Sequence, residues 1–362
     1  MMVPSVVFPQ SSAMKTLDQP SLNGGVDTAI AAPELPFDPP SIALRLIVEE
    51  DAKAVALHLV QQGLSKSEAE RLIEEASKEP LVAECLTRAR KARKSASLRQ
   101  AFAKQLRQSP IAESVPIEAR LSPERFFEHY YFANRPVLIR GLMHDWPALG
   151  QWSPEYFAER FGDETVEITG DRESDPRFED RFTDHRRQMT MREFVGIITK
   201  AKGNDVYLVA KNRLLDREPF LELRRDVIFP EGFLTTGPCA DPPRMWIGGA
   251  GTITPLHHDA SNIFFGQVYG RKLVRLIPPS EIDNLYNDRT CFSDIDLDNV
   301  DYDRFPRFRP VTVVQVIVHA GDFLLLPLGW WHQVRSLDVS ISLSYQNFAV
   351  PGGPVVWDHH LI

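Results

Sequence analysis

The sequence is poor in cysteine, lacks long apolar runs and carries no excess of positive charge. Each shortage excludes something. Only three cysteines occur in 362 residues, Cys85, Cys239 and Cys291. Their spacing is unpaired, so neither a disulfide framework nor a cysteine-based zinc site is indicated. No stretch approaches the ~18 apolar residues that a membrane-spanning helix needs. The start, Met1-Met2-Val3-Pro4-Ser5, lacks the basic residues and apolar run of a secretory signal. A reduced, cytoplasmic setting with no membrane partner is therefore expected. The formal net charge of -8 argues against nucleic acid as a constitutive partner, because such binders are usually basic overall.

What is present suggests one large domain with appendages. Apolar residues make up 43% of the chain, enough for a packed core. Residues 1–40 are rich in Pro, Ser, Gly and Ala and are expected to be disordered. Residues 41–112 read as a helical region. Val55, Ala56, Leu59 and Val60 recur at helical spacing, Ser65-Lys66-Ser67-Glu68 has the form of a capping box, and Pro80 can open a further helix. Three short amphipathic helices bury little alone. They are expected to pack on the domain that follows or on a second subunit of a homodimer. Residues 113–362 then mix helices with short alternating strands. Within them, Asp171–His185 reads as a polar surface loop that could also cover a site, and 282–310 as an acidic insertion between two strands. Its aspartates lack the glycine and glutamate of a calcium-binding loop.

The triplet His257-His258-Asp259, with His332 far downstream in Gly329-Trp330-Trp331-His332, carries the chemistry. Side chains alternate along a strand, so His257 and Asp259 share a face and His258 points away from it. Two imidazoles and one carboxylate with open positions suit non-haem Fe(II). Around the triplet, Thr252–Leu256 is β-branched and strand-like. The run from Ile263 to Ile277 reads as a hairpin turning at Tyr269-Gly270, with Lys272 at the start of the returning strand. Gly321-Asp322 makes a turn into the apolar strand Phe323–Leu326, and Val339–Tyr345 alternates as another strand. Such strands fit a β-barrel or sandwich.

The strings Thr254-Pro255-Leu256-His257-His258-Asp259, Phe264-Phe265, Gln267, Gly270, Lys272 and Pro278-Pro279 resemble the JmjC/cupin-8 family of 2-oxoglutarate-dependent oxygenases. So do Gly321-Asp322, Pro327, Trp330-Trp331-His332 and Asn347-Phe348. Arg135–Gly141, with Asp145-Trp146-Pro147-Ala148, is similar to the segment that opens the family's domain. The pattern is similar to the asparaginyl hydroxylase of hypoxia signalling and to bacterial cupin-like proteins. It implies a mainly β fold, the double-stranded β-helix (jelly roll) with flanking helices. It also implies Fe(II) held by His257, Asp259 and His332, with 2-oxoglutarate and O2 as cosubstrates. Lys272 and Thr254 would meet the distal carboxylate of 2-oxoglutarate. Tyr207 and Asn347 would contact the cosubstrate, and Trp246, Phe265 and Trp331 would form an apolar wall. One departure is Asn262, followed by Ile263 where the asparaginyl hydroxylase carries a cosubstrate-contacting asparagine. On a strand Asn262 faces the other way.

The reaction so implied couples oxidative decarboxylation of 2-oxoglutarate, to succinate and CO2, to oxidation of a C–H bond. The expected function is hydroxylation of a protein or peptide side chain. The alternatives are a hydroxylase or demethylase of a small molecule or modified nucleoside, and a binding protein that has lost iron. No zinc-binding or chromatin-reader segment accompanies the domain, so histone demethylation ranks low among the expected activities.

Overall fold

The computed structural model describes residues 39–49, 51–109, 113–200, 202–236, 242–287 and 291–357. The expected disorder over residues 1–40 and the position of Cys239 fall almost wholly outside these. The chain divides into two compact units after Lys91.

The first unit is helical: α1 (Pro39–Glu49), α2 (Ala52–Gln61), α3 (Lys66–Lys78) and the start of α4 (Pro80–Arg107). The capping box read at Ser65 forms, with the Ser65 side chain on the Glu68 amide and the Glu68 carboxylate on the Ser65 amide. Two orphan amides at the helix start are thereby satisfied. Ile42, Leu46, Val55, Leu59, Ala69, Ile73 and Val82 make its small core.

The second unit holds two β-sheets. Its elements run β1 (Ile117–Ala119), α5 (Pro123–Phe126), β2 (Val137–Arg140), α6 (Pro147–Gln151), α7 (Pro154–Arg160), β3 (Thr165–Thr169), β4 (Arg186–Thr190), α8 (Met191–Lys200) and β5 (Tyr207–Leu208). Then follow β6 (Arg244–Gly248), β7 (Ile253–His258), β8 (Ile263–Tyr269), β9 (Lys272–Ile277), β10 (Val314–Val318), β11 (Asp322–Leu326), β12 (Trp331–Ser336) and β13 (Ser340–Tyr345). The major sheet has nine strands in the order β1-β2-β11-β8-β13-β6-β5-β3-β4, and the minor sheet four, β10-β9-β12-β7. This is the expected cupin-type arrangement of mixed sheets with flanking helices.

Alternation sorts each strand between two environments. From the major sheet, Ile263, Phe265, Leu324 and Leu326 turn toward the minor sheet and meet Val274, Leu276, Val314, Val316 and Val334. The other face of the major sheet, with Phe264 and Phe323, packs against the helices around Phe126, Phe194 and Phe220. On the minor sheet's outer face Leu256, Ile277 and Trp331 are covered by Leu285, Ile295, Phe305 and Phe308 of the acidic insertion. Several of the insertion's charges are matched. Asp298 takes Arg275 and Arg335, Asp303 takes Arg309, and Asp294 faces Arg304. Arg99 and Arg107 of α4 clasp Asp283 and Glu281 at its base. The aspartates thus anchor a flap onto the sheet.

Gly270 sits at the β8–β9 turn with φ +70°. A Cβ there would lie 2.1 Å from the Val339 carbonyl oxygen. Left-handed backbone is costly for any other residue, and the blocking atom is main chain. Gly270→Ala should therefore lower unfolding stability by at least about 1–2 kcal/mol, measured as a reduced urea midpoint with unchanged slope.

Candidate metal centre

The site forms where β7 and β12 lie side by side. His332 pairs with His257, and Trp331 with His258. His257, Asp259 and His332 bring donor atoms within 4.8 Å of one another, the one such cluster among the described residues. Each histidine places Nδ1 on the carbonyl two residues earlier: His257 on Pro255 at 2.8 Å and His332 on Trp330 at 3.0 Å. A carbonyl only accepts, so Nδ1 carries a proton and Nε2 is the nitrogen turned to the cluster. Both Nε2 atoms face Asp259, at 3.9 Å from Oδ1 and 3.4 Å from Oδ2. Ring orientation fixed by a hydrogen bond on the far nitrogen is how metal-binding imidazoles are usually prepared.

The electrostatics agree. Burial, with His332 alongside, pulls the His257 imidazole down to about 4, so it is neutral at pH 7. Burial alone would raise the Asp259 carboxyl, but the hydrogen bond and charge of His332 outweigh it and bring the group to about 2. Two imidazoles turned to one point and one carboxylate, with open space beside them, fit a divalent ion of the first transition row.

Register explains how Thr254 joins them. Simple alternation would put Thr254 and His257 on opposite faces. The β7/β12 ladder slips between His332 and Val334, so Thr254 pairs with Val334 while His257 still pairs with His332. A bulge at Pro255-Leu256 absorbs one residue, and Pro255, which has no N–H to donate, is suited to it. Thr254 and His257 consequently line the same cavity.

That cavity has a volume of about 270 Å³ and lies between the sheets, with Tyr207, Trp246, Thr254, Phe265 and Lys272 on its walls together with the three donors. Lys272 is 1% exposed. Its Nζ donates to Tyr207 Oη at 2.9 Å and lies over the Tyr207 and Phe265 rings. No carboxylate pairs with it among the described residues, and desolvation pulls the ammonium down to about 7. Burial pushes the Tyr207 phenol up, despite Arg172 and Thr254 nearby, so it stays protonated.

Some residues singled out in the sequence lie elsewhere. The Asn347 amide donates to the Thr235 carbonyl at 2.7 Å, and Asn347 is not on the cavity wall. Gln346 is. Asn262 turns away, accepting from the Leu328 amide. Trp331 does not shield the cavity. As the neighbour of inward-facing His332 it must face outward, where it meets His258 edge-on at 4.7 Å. Other wall residues carried no clear sequence signal: Glu179, Lys211, Cys291, Phe292 and Ser344. Glu179 belongs to the charge-crowded 171–185 segment, which is not plain surface. Arg172 is 1% exposed, donates to the Ile253 carbonyl on β7, and lies 4.2 Å from the Phe178 ring and 5.0 Å from that of Tyr207. His185 is held between Asp175 and the Gly170 carbonyl.

A cupin-like domain family model matches residues 123–348. The chain is 32% identical over 232 residues to lysine-specific demethylase 8 of Xenopus tropicalis, covering 62% of this chain and 50% of that protein. It is 33% identical over 234 residues to lysine-specific demethylase JMJ30 of Arabidopsis thaliana, covering 62% and 52%. It is 28% identical over 252 residues to tRNA wybutosine-synthesizing protein 5 of Gallus gallus, covering 66% and 78%. The chain thus spans about half the length of the demethylases it matches. With the family match covering both sheets except the edge strand β1, and every wall of the cavity described above, the chain belongs to the cupin-like domain family, alongside JmjC proteins.

Proposed function

We propose that this protein is an Fe(II)- and 2-oxoglutarate-dependent oxygenase acting on a side chain of a protein or peptide. The observation that carries the reading is Lys272. Burying an ammonium without a counter-charge is costly, and this one lies in the same cavity as a two-histidine, one-carboxylate cluster. A cavity offering a metal-ligand set at one place and an unneutralised cation at another fits a small dianion that would chelate the metal at one end and meet Lys272 at the other. Relatives of the JmjC type use this cofactor pair.

In this reading His257 and His332 hold the iron through Nε2 and Asp259 through its carboxylate. When bound, iron with 2-oxoglutarate and O2 supplies C–H oxidation coupled to formation of succinate and CO2. The chain's own part is binding and orientation. Lys272, Tyr207 and Thr254 gather at the distal carboxylate of the cosubstrate. Trp246 and Phe265 exclude water beside it.

The substrate's approach is argued from a neighbouring groove of about 490 Å³, which shares Glu179 and Phe292 with the metal cavity. Asp180, Asp294 and Asp296 outnumber Arg177 and Arg304 along it, which favours a basic side chain and disfavours a phosphate backbone. Relatives named for lysine- and arginine-specific demethylation are consistent with that. Hydroxylation and N-demethylation begin with the same C–H oxidation. The mass of the product separates them, as a gain of one oxygen or a loss of a methyl group. A relative named for wybutosine synthesis on tRNA keeps a modified nucleoside as the second reading, which the groove's acidity opposes.

Two outcomes test the assignment. His257→Ala or Asp259→Ala should leave a folded protein that no longer binds Fe(II) at micromolar levels and forms no succinate from 2-oxoglutarate. Asp259→Glu should fail too, since the longer arm misplaces the oxygen. Succinate at the wild-type rate in any of the three removes the enzyme reading. The anaerobic visible band of the Fe(II)/2-oxoglutarate complex gives the direct readout.

Lys272→Met keeps the stem and deletes the charge. A charge-assisted hydrogen bond in a desolvated site is worth roughly 1.5–3 kcal/mol, so 2-oxoglutarate should bind about ten- to a hundredfold more weakly with metal affinity unchanged. A pH dependence follows. The ligand-free ammonium is charged below about 7, so cosubstrate affinity in the wild type should weaken as pH rises from 7 to 9. That slope should vanish in Lys272→Met. Equal affinities and equal slopes would make Lys272 a structural lysine only.

A further inference from the structure

Behind the three donors, on the outer face of the minor sheet, lies an aromatic stack that the reading above does not use. His258 stands between the donors His257 and Asp259 and points outward, 4% exposed. The Trp331 ring, adjacent to His332, meets it edge-on at 4.7 Å and 75°. The Trp357 ring stacks on it at 4.9 Å and 26°. The backbone is tied at the same place. The Trp357 amide donates to the Ala260 carbonyl at 2.6 Å, and Val356 forms an antiparallel bridge with Ser261.

The geometry matters because the donors are not equally supported. His257 and His332 sit inside paired strands, and each ring is locked through Nδ1. Asp259 lies one residue beyond the end of β7, with its side chain 36% exposed. Among the described residues it has no hydrogen bond from outside the donor cluster. What fixes its backbone is the next turn of chain, Ala260 and Ser261, and that turn is held by the segment 356–357. The stack also joins all three donors from behind, because His258 neighbours two of them and Trp331 the third.

We infer that Trp357 is a positioning residue for the metal site, stacking on His258 and bonding Ala260 so that the Asp259 carboxylate is held in line with the two histidines. The inference rests on the metal-site reading. It concerns a residue outside the cavity that touches neither metal nor cosubstrate. Partners of this kind typically change metal affinity ten- to a hundredfold.

The test uses Co(II) with the full-length protein, because its visible spectrum reports ligand number and geometry without turnover. Trp357→Ala keeps the amide and removes the ring. Co(II) affinity should fall about ten- to a hundredfold, and the d–d bands should weaken and shift as carboxylate ligation is lost. The thermal midpoint of the metal-free protein should stay close to that of the wild type. Trp357→Phe retains a stacking ring and should restore both affinity and spectrum. Wild-type affinity and spectrum in Trp357→Ala would overturn the inference. So would a loss of binding that tracks a fall in the metal-free midpoint and is not restored by phenylalanine, since that marks general destabilisation. If the wild type binds no Co(II), or binds it equally after His332→Ala, the metal reading fails and the positioning role fails with it.

Discussion

The site depends on how β7 pairs with β12. Antiparallel pairing sets His257 opposite His332, bringing residues 75 positions apart to a ring separation of 4.2 Å. One residue of slip across the whole ladder would turn both histidines outward and put His258 and Trp331 in their place. The apolar pattern forbids this. Val334 inside and Trp331 and Leu256 outside each have a core to join. The His257–Asp259–His332 cluster is therefore a by-product of hydrophobic sorting on the two faces of the minor sheet. The bulge at Pro255-Leu256 then spends one residue to recover Thr254 for the inner face.

Lys272 follows from the same sorting but opposes it energetically. Its position on β9 is an inner one, in line with Val274 and Leu276, so the fold places an ammonium where another apolar side chain would suit. Its depressed value of about 7 has a definite sign. Between about 7 and its ordinary range the unfolded chain holds a proton that the folded chain does not, so this group favours folding as pH rises through that window and opposes it below. A penalty at neutral pH, relieved by any anion that enters the cavity, is what a binding residue looks like before its ligand arrives. Tyr207 softens the penalty with one hydrogen bond and an aromatic face, and Arg172, behind Tyr207, holds that ring in place.

Much of this was legible in the chain, because periodicity carries it. Alternation at 257–259 put one imidazole and the carboxylate on one face and His258 on the other. The Tyr269-Gly270 turn, the Ser65 capping box and the helix start at Pro80 carried local chemistry strong enough to survive tertiary context. Other features were illegible for physical reasons. A bulge changes facing without changing composition, so Thr254 and His257 could share a wall only once the partner strand was known. Asn347 lies past the end of β13, where alternation no longer rules, and its side chain went to Thr235. The loop 171–185 and the insertion 282–310 are rich in charge and resemble solvated surface. Their partners, Ile253, Arg275 and Arg335, are distant in sequence, and only folding shows that the charges fasten segments onto the sheet.

The two layers around the cluster divide the work. Inside, the donors and Lys272 define what can bind, and the shape is set by large side chains from both sheets. Outside, the β9–β10 insertion and the segment near Trp357 cover the reverse face of the strands that carry the donors. A donor on a strand needs only its neighbour strand to be held. A donor beyond the strand end needs something else to hold its backbone, and Asp259 is the one donor in that position. The acidic insertion contributes beside both faces, through the Cys291 carbonyl that accepts from the His258 amide and through the Phe292 ring, on the cavity wall 5.3 Å from His257. Coverage of the outer face and precision of the inner one are therefore coupled through the same short stretch of chain, residues 257–261. Substitutions in the insertion that loosen Phe292 should be felt at His257 before they are felt in the core, because the minor sheet's outer cluster is anchored separately by Leu285, Phe305 and Phe308.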